Sequence, residues 1–369
     1  LGKYNTFEKY EKINQINLIV YSMDMGMYMG IDMGMDINVI KTLEEIANAN
    51  FASKSIDINS VIHAPSNHDT LFIQIYNNEI YTRSPISEER HHQVLRQIKS
   101  VVGKFAVPNC VFAYSTRDEY PNKGDFVFTH AIRKRENTNN ILAPCFTFDS
   151  YPEKEPTNFI SYETTYNELT AVGKSSCMDK IIWLDTKNPI LSFVGSIHQY
   201  NYRNVNTNFS SSIKDIINID IRNLDAASGS RFISRADLVN YRYLLHLNGN
   251  NGAYASRLKY LLLVASLVIY IPNFRGCYDY QIEYWMNHPS FETCIVECKT
   301  IEECEKYIKN AETNPNQMDT SYNTSLQGFN YVRQILKPEN VLLYWKILFE
   351  KYSAIIKNPI NDLIYHHKY

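Results

Sequence analysis

The sequence predicts an α/β protein built as two units, on three observations. The chain has 369 residues, enough for two domains or one large one with ample core. Both halves alternate short apolar, strand-like runs with runs of helical period. In each half a strand-like run ends in a polar turn, "STRDEYP" in the first and "NGNNGAYASR" in the second. Ligands of open α/β sheets bind outside the carboxyl ends of strands, so both turns are candidate site segments.

Element by element, "SMDMGMYMGIDMGMD" (22–36) is the one low-complexity segment. Its thioethers suit soft Cu(I), while its glycines and carboxylates suit a flexible loop or linker. "INVIKTLEEIANANF" (37–51) has apolar residues at helical spacing. "TLFIQIYNNEIYTR" (70–83) reads as a hairpin turning at Asn77–Asn78. "SEERHHQVLRQIKSVVGKF" (87–105) reads as a helix capped by Ser87, followed by the strand "CVFAYS" (110–115). His91–His92 and the tail pair His366–His367 lack an acid at catalytic spacing and read as solvated. Residues 157–177 are polar and weakly periodic, as in a bridge between domains. In the second half, 180–185, 189–196, 238–249 and 266–272 read as strands, and 256–263, 300–312 and 341–357 as helices.

Composition narrows the function class. Apolar residues are 44% and charged residues 21%, as in ordinary globular proteins. The net charge of −2 offers no field for nucleic acid or an anionic membrane. The longest apolar run, Tyr260 to Pro272, is too short for a transmembrane span. The chain starts at Leu1, which is consistent with a signal or anchor removed upstream, so the secretory lumen and the cytoplasm both stay open. Seven cysteines without paired zinc spacing read as free thiols or as one or two disulfides of unreadable connectivity. The sequons at Asn208 and Asn323 say little in so Asn-rich a chain.

The chemistry centres on 249–271. A Gly- and Asn-rich loop leads into a helix start near Ala255–Ser256, where backbone N–H groups and the helix dipole favour an anion. Gly252 allows close approach, and Arg257 can fork two phosphate oxygens. Lys259 points to another side. On spacing alone, Arg257 reads equally as a structural salt bridge to the neighbouring domain.

"YRYLLHLNGNNGAYASRLKYLLLVASLVIYI" resembles the signature of glycosyltransferase family 90, the CAP10-like and Rumi-type protein O-glycosyltransferases. Tyr241, Arg242, Tyr243, Leu244, Gly252, Ala255, Ser256, Arg257, Lys259, Ser266, Leu267 and Val268 fall in register with it. The resemblance implies that Ser256 and Arg257 hold the diphosphate of a nucleotide sugar. "VFAYSTRDEYP" is similar to the family's Val-Arg-Asp-Tyr-Pro segment, which implies Asp118 as general base. The inserted Glu119 is a rival base, and an Arg117–Asp118 ion pair in a turn is the bland alternative. "LSFVGSIHQYNYR" resembles the family's Phe-Arg-Gly-Ser loop, matching Gly195 and Ser196. Val194 stands where the family has Arg, and Arg203 is the substitute cation. Arg231 and Arg235 read equally as ligands or surface charges.

The resemblance implies a GT-B type fold, two Rossmann-like domains facing across a cleft. Residues 1–165 would form the acceptor and base domain, with 1–70 unplaced. Residues 166–340 would bind the nucleotide sugar, and 341–369 would pack back on the first domain. It further implies an inverting, metal-independent transferase with no cofactor. Its donor would be a UDP-sugar, glucose or xylose, and its acceptor a hydroxyl of a protein or glycan. The alternative is an inactive nucleotide-sugar-binding or interaction protein of the same fold. A kinase is disfavoured, since neither a Gly-x-x-x-x-Gly-Lys loop nor a His-Arg-Asp catalytic loop occurs.

Overall fold

The structure is a computed structural model. It describes residues 36–52, 54, 56–64, 68–117, 127–133, 140–152, 159–195, 210–223, 233–248, 255–272, 281–357 and 362–369. Of the Met-rich segment only Asp36 is described, and its side chain caps helix α1 (Ile37–Phe51) by accepting from the Asn38 N–H. α1 buries Val39, Leu43, Ile46 and Ala47, the apolar face of its sequence pattern.

The first sheet begins with the hairpin β1 (Thr70–Tyr76) and β2 (Glu79–Thr82). Asn77 and Asn78 turn it with φ of 50° and 59°, a left-handed conformation that Asn tolerates. Helix α2 (Glu89–Lys104) starts later than expected: Glu88, not Ser87, is its N-cap, and no side chain caps it. The Glu88 carboxylate instead faces His68 Nε2 at 3.0 Å. His91 is buried rather than solvated, and burial pushes its pKa down. β3 (Cys110–Ser115) is buried along its whole length. It lies antiparallel to β1 and parallel to β4 (Phe128–Thr129), which in turn lies parallel to β5 (Ile141–Leu142). The C-terminal pair His367–Lys368 closes the other edge against β2. Asn50 of α1 ties into this sheet, its side chain donating to Leu142 O at 2.7 Å and accepting from Leu142 N at 2.9 Å.

Two segments of the second half differ from expectation. The polar stretch expected to bridge domains is helix α3 (Tyr162–Ser176), capped by Ser161, and the expected boundary at 165/166 falls inside it. Its buried face is Tyr162, Thr165, Tyr166, Leu169, Gly173 and Ser176, a face with little aliphatic signal. "KIIWLD", expected as a strand, is helix α4 (Lys180–Thr186). A short apolar run does not distinguish the two, and the Asp179 cap on Ile182 N decides for helix.

The second sheet comprises β6 (Asn188–Gly195), β7 (Asn218–Asn223), β8 (Tyr241–Leu247), β9 (Leu267–Ile271) and β10 (Val296–Glu297). All its pairings are parallel, in the spatial order β7-β6-β8-β9-β10. Its central strands are mostly apolar because both faces are covered, with Ser192 in β6 and Arg242 and His246 in β8 as buried polar residues. Leu191, Phe193, Tyr243 and Leu245 pack into one core, while Leu244, Val268 and Tyr270 join the core continuous with the first sheet. β8 starts three residues after the expected 238, since Ala236–Asn240 form a 3-10 turn. Between β8 and β9, helix α5 is only Leu258–Leu263.

Helix α6 (Ile301–Thr313) follows, then α7 (Pro315–Ile335), which the sequence pattern did not reveal, and α8 (Pro338–Ile355). α8 packs under the first sheet: Tyr352 donates to Val111 O at 2.8 Å and Trp345 to Gln97 Oε1 at 3.1 Å. The units also touch where Ile132–Arg133 pairs antiparallel with Gln281–Ile282. None of the described helices is long and apolar enough to cross a membrane.

Candidate active site

The order β7-β6-β8-β9-β10 reads 2-1-3-4-5 in chain order, so strand connections reverse direction between β6 and β8. The crevice outside their carboxyl ends is where such sheets bind ligands. Gly195 ends β6 and Leu247 ends β8. Arg257, the residue before α5, bridges these two ends. Its Nη1 donates to Val194 O at 2.8 Å and its Nη2 to Leu247 O at 3.1 Å. The guanidinium lies over the Phe193 ring, 4.4 Å from the centroid, a favourable cation–π placement.

Gly195 leaves room for this arrangement. A Cβ there would lie 2.5 Å from Arg257 Nη1 and 2.9 Å from the Phe193 ring. The glycine thus opens the space that the guanidinium fills. Ala255 and Ser256 are half-buried in the turn just before Arg257. α5 has six residues, so its dipole is small.

Lys259 is fully buried. Its Nζ donates to Thr147 Oγ1 of the first unit at 2.8 Å and to Ser256 O at 3.0 Å. Lys259 thus makes a contact to the neighbouring unit, and to a hydroxyl. Arg235 is half-buried, with its guanidinium over the Tyr260 ring at 4.7 Å.

On the first unit, the exit of β3 is gripped from several sides. Thr116 N donates to Asp69 O at 2.9 Å, and Arg90 Nη1 donates to Thr116 O at 3.0 Å. Arg117 Nε lies 3.2 Å from Asp69 Oδ2, so Arg117 pairs with Asp69. His130, after β4, is buried with its ring edge-on to Phe146. Burial and the nearby Arg90 push its pKa down to about 3, so it is neutral. Arg90 and His130 belong to no motif, and sequence reasoning missed both. Asp118, Glu119, Ser196, Arg203, Arg231 and Gly252 lie outside the described residues. The structure therefore brings Gly195, Ser256 and Arg257 to one place and leaves those six unlocated.

Other signature residues are structural. Arg242 forks the Glu312 carboxylate at 3.0 and 3.1 Å, and Tyr243 donates to the same group. Ser266 donates to Tyr241 O at 2.7 Å and accepts from buried Lys187 at 3.1 Å. The six described cysteines are all buried.

The family model for glycosyl transferase family 90 matches residues 49–361. The chain belongs to that family. Membership makes the family 90 protein an enzyme class that transfers a sugar, and the two α/β units agree with the architecture expected of it. A search of curated proteins found no match. Among solved structures, a crystal structure of α1,3-fucosyltransferase matches at 14% identity with a TM-score of 0.36, covering 77% of this chain and 82% of that one. One with GDP matches at 14% and 0.34, covering 67% and 76%. One with GDP-fucose matches at 16% and 0.35, covering 69% and 75%. At these TM-scores the likeness carries no weight for donor or mechanism.

Proposed function

We propose that this family 90 glycosyltransferase transfers glucose or xylose from a UDP-sugar to a hydroxyl of a protein or glycan, inverting the anomeric carbon. The observation that carries the reading is Arg257, whose guanidinium sits at the carboxyl ends of β6 and β8, where the strand connections of the parallel sheet reverse direction. A fixed positive charge at a switch point suits a diphosphate. Gly195, Ala255, Ser256 and Arg257 would line the diphosphate site, with Ser196, Arg203 and Gly252 completing it by family resemblance.

Asp118, which follows the gripped exit of β3 in the chain, is the proposed base, with Glu119 its rival. The acceptor oxygen forms its bond to the anomeric carbon as the bond from that carbon to the phosphate oxygen breaks. The proton goes to the carboxylate and UDP leaves with its charge met by Arg257. Arginine takes the part that a divalent cation plays elsewhere, so the reaction is assigned no metal. In the GT-B reading, the first unit would hold the acceptor and the second the donor.

The test is a screen of nucleotide sugars by calorimetry and UDP release, with and without EDTA. Turnover of UDP-glucose or UDP-xylose that persists in EDTA is expected; a strict Mn²⁺ requirement, restored on adding the metal back, contradicts the metal-free part. Glucose and xylose differ by one hydroxymethyl group, so the screen needs both. A second reading, donor binding without transfer, is motivated by Val194 in place of the family's Arg. Donor affinity without turnover on any acceptor would select it.

A further inference from the structure

Lys259 has no task in the transfer, yet it is a fully buried lysine beside the site. Among the described residues no carboxylate lies within ion-pair range of it. A buried ammonium is unfavourable unless its surroundings replace water. Here they do so with neutral groups: Thr147 Oγ1 at 2.8 Å, Ser256 O at 3.0 Å, and the ring faces of Phe148 and Tyr260 at 4.6 and 4.9 Å. A methionine would fill similar space without the desolvation cost, so the charge is retained for what it connects.

What it connects is the donor turn and the first unit. Ser256 O belongs to the residue before Arg257. Thr147 lies on the 3-10 turn Phe146–Phe148, which Gln97 of α2 fixes through the carbonyls of Cys145 and Phe146 at 2.9 and 3.2 Å. The Thr147 hydroxyl is itself oriented, donating to Cys145 Sγ at 3.3 Å, so its lone pairs face Lys259. Tyr260 adds a weak parallel tie from its hydroxyl to Thr147 O at 3.4 Å.

We infer that Lys259 and Thr147 form a latch between the units that positions the Ser256–Arg257 turn for a nucleoside diphosphate. Both are positioning residues, and the inference rests on assigning that turn to the donor. Transfer between two half-sites depends on their register to within fractions of an ångström, which a bond spanning the units supplies.

The test uses Thr147, because Lys259 variants risk failing to fold. Thr147→Val keeps the shape and removes the acceptor; Thr147→Ser keeps the hydroxyl. For each, UDP affinity is measured by calorimetry, with amide exchange at Tyr260 and Leu261, whose N–H groups bond Arg257 O at 2.9 and 3.1 Å. Thr147→Val is expected to weaken UDP binding about tenfold and to speed that exchange, with Thr147→Ser close to wild type. If Thr147→Val only lowers the unfolding temperature, with affinity and exchange unchanged, the contact is packing and the latch is wrong. If Thr147→Ser behaves like Thr147→Val, the hydroxyl is not the connection, and the latch is again wrong. A wild type that binds no UDP overturns the donor assignment and the latch with it. A wild type that binds UDP as tightly as Thr147→Val overturns the latch alone.

Discussion

Gly195 and Arg257 are one device, because the missing Cβ of the first is the space occupied by the second. Gly195→Ala should push the guanidinium off Val194 O and weaken UDP binding by about tenfold or more, the worth of a charge-assisted hydrogen bond. Calorimetry on the folded variant checks this. Lys187 makes a different prediction. It is fully buried, with its ammonium bonded to Val239 O, Val264 O and Ser266 Oγ, and burial still pushes its pKa down to about 7. Between that value and the ordinary lysine value near 10.5 the unfolded chain holds a proton that the folded chain lacks. Its contribution is therefore present above the upper limit and is lost as pH falls towards 7. Unfolding temperature measured from pH 7.5 to 9.5 should rise less steeply in Lys187→Met than in wild type.

At the scale of elements, the central parallel strands were readable, while the flanking β7 and β10 and several helices were not. β6, β8 and β9 are predominantly apolar because both of their faces are covered, a pattern that survives in sequence despite Ser192, Arg242 and His246. α3 buries Tyr, Thr, Ser and Gly beside a single leucine, and α7 begins its buried face with Met318, Ser321, Ser325 and Gly328 before Phe329, Val332 and Ile335, so neither carries a full-length aliphatic stripe. Their small residues serve close approach: a Cβ on Gly173 would lie 2.2 Å from Leu263 O, and one on Gly328 would lie 2.6 Å from Cys294 O. Gly173→Ala should accordingly destabilise by about 1–3 kcal/mol, since a backbone carbonyl cannot step aside as a side chain can. Chemical denaturation reads that loss. The site was half legible for a related reason. Arg257 and Gly195 are marked by a motif, but Arg257's partners are backbone carbonyls, which no residue type announces. Lys259 and Thr147 meet only in three dimensions.

Across the whole molecule, the Ser256–Arg257 turn on the second unit is tied to the first through the buried contact of Lys259 with Thr147. The roles assigned to the two units separate cleanly in experiment. Asp118→Asn should cut transfer by ~10² to 10⁴ with donor affinity nearly unchanged, and Glu119→Gln should be mild. If Glu119→Gln abolishes transfer while Asp118→Asn stays near wild type, the base is the neighbouring carboxylate. The central claim, that the sheet switch point binds a nucleoside diphosphate through Arg257, is tested most directly by titrating wild type and Arg257→Ala with UDP. Affinity is expressed per folded molecule, because this arginine also ties β6 to β8. Wild type should bind, and the variant should lose about 1.5–3 kcal/mol of affinity while keeping its fold. Equal affinity in the two folded proteins, with the variant merely less stable, would contradict the account.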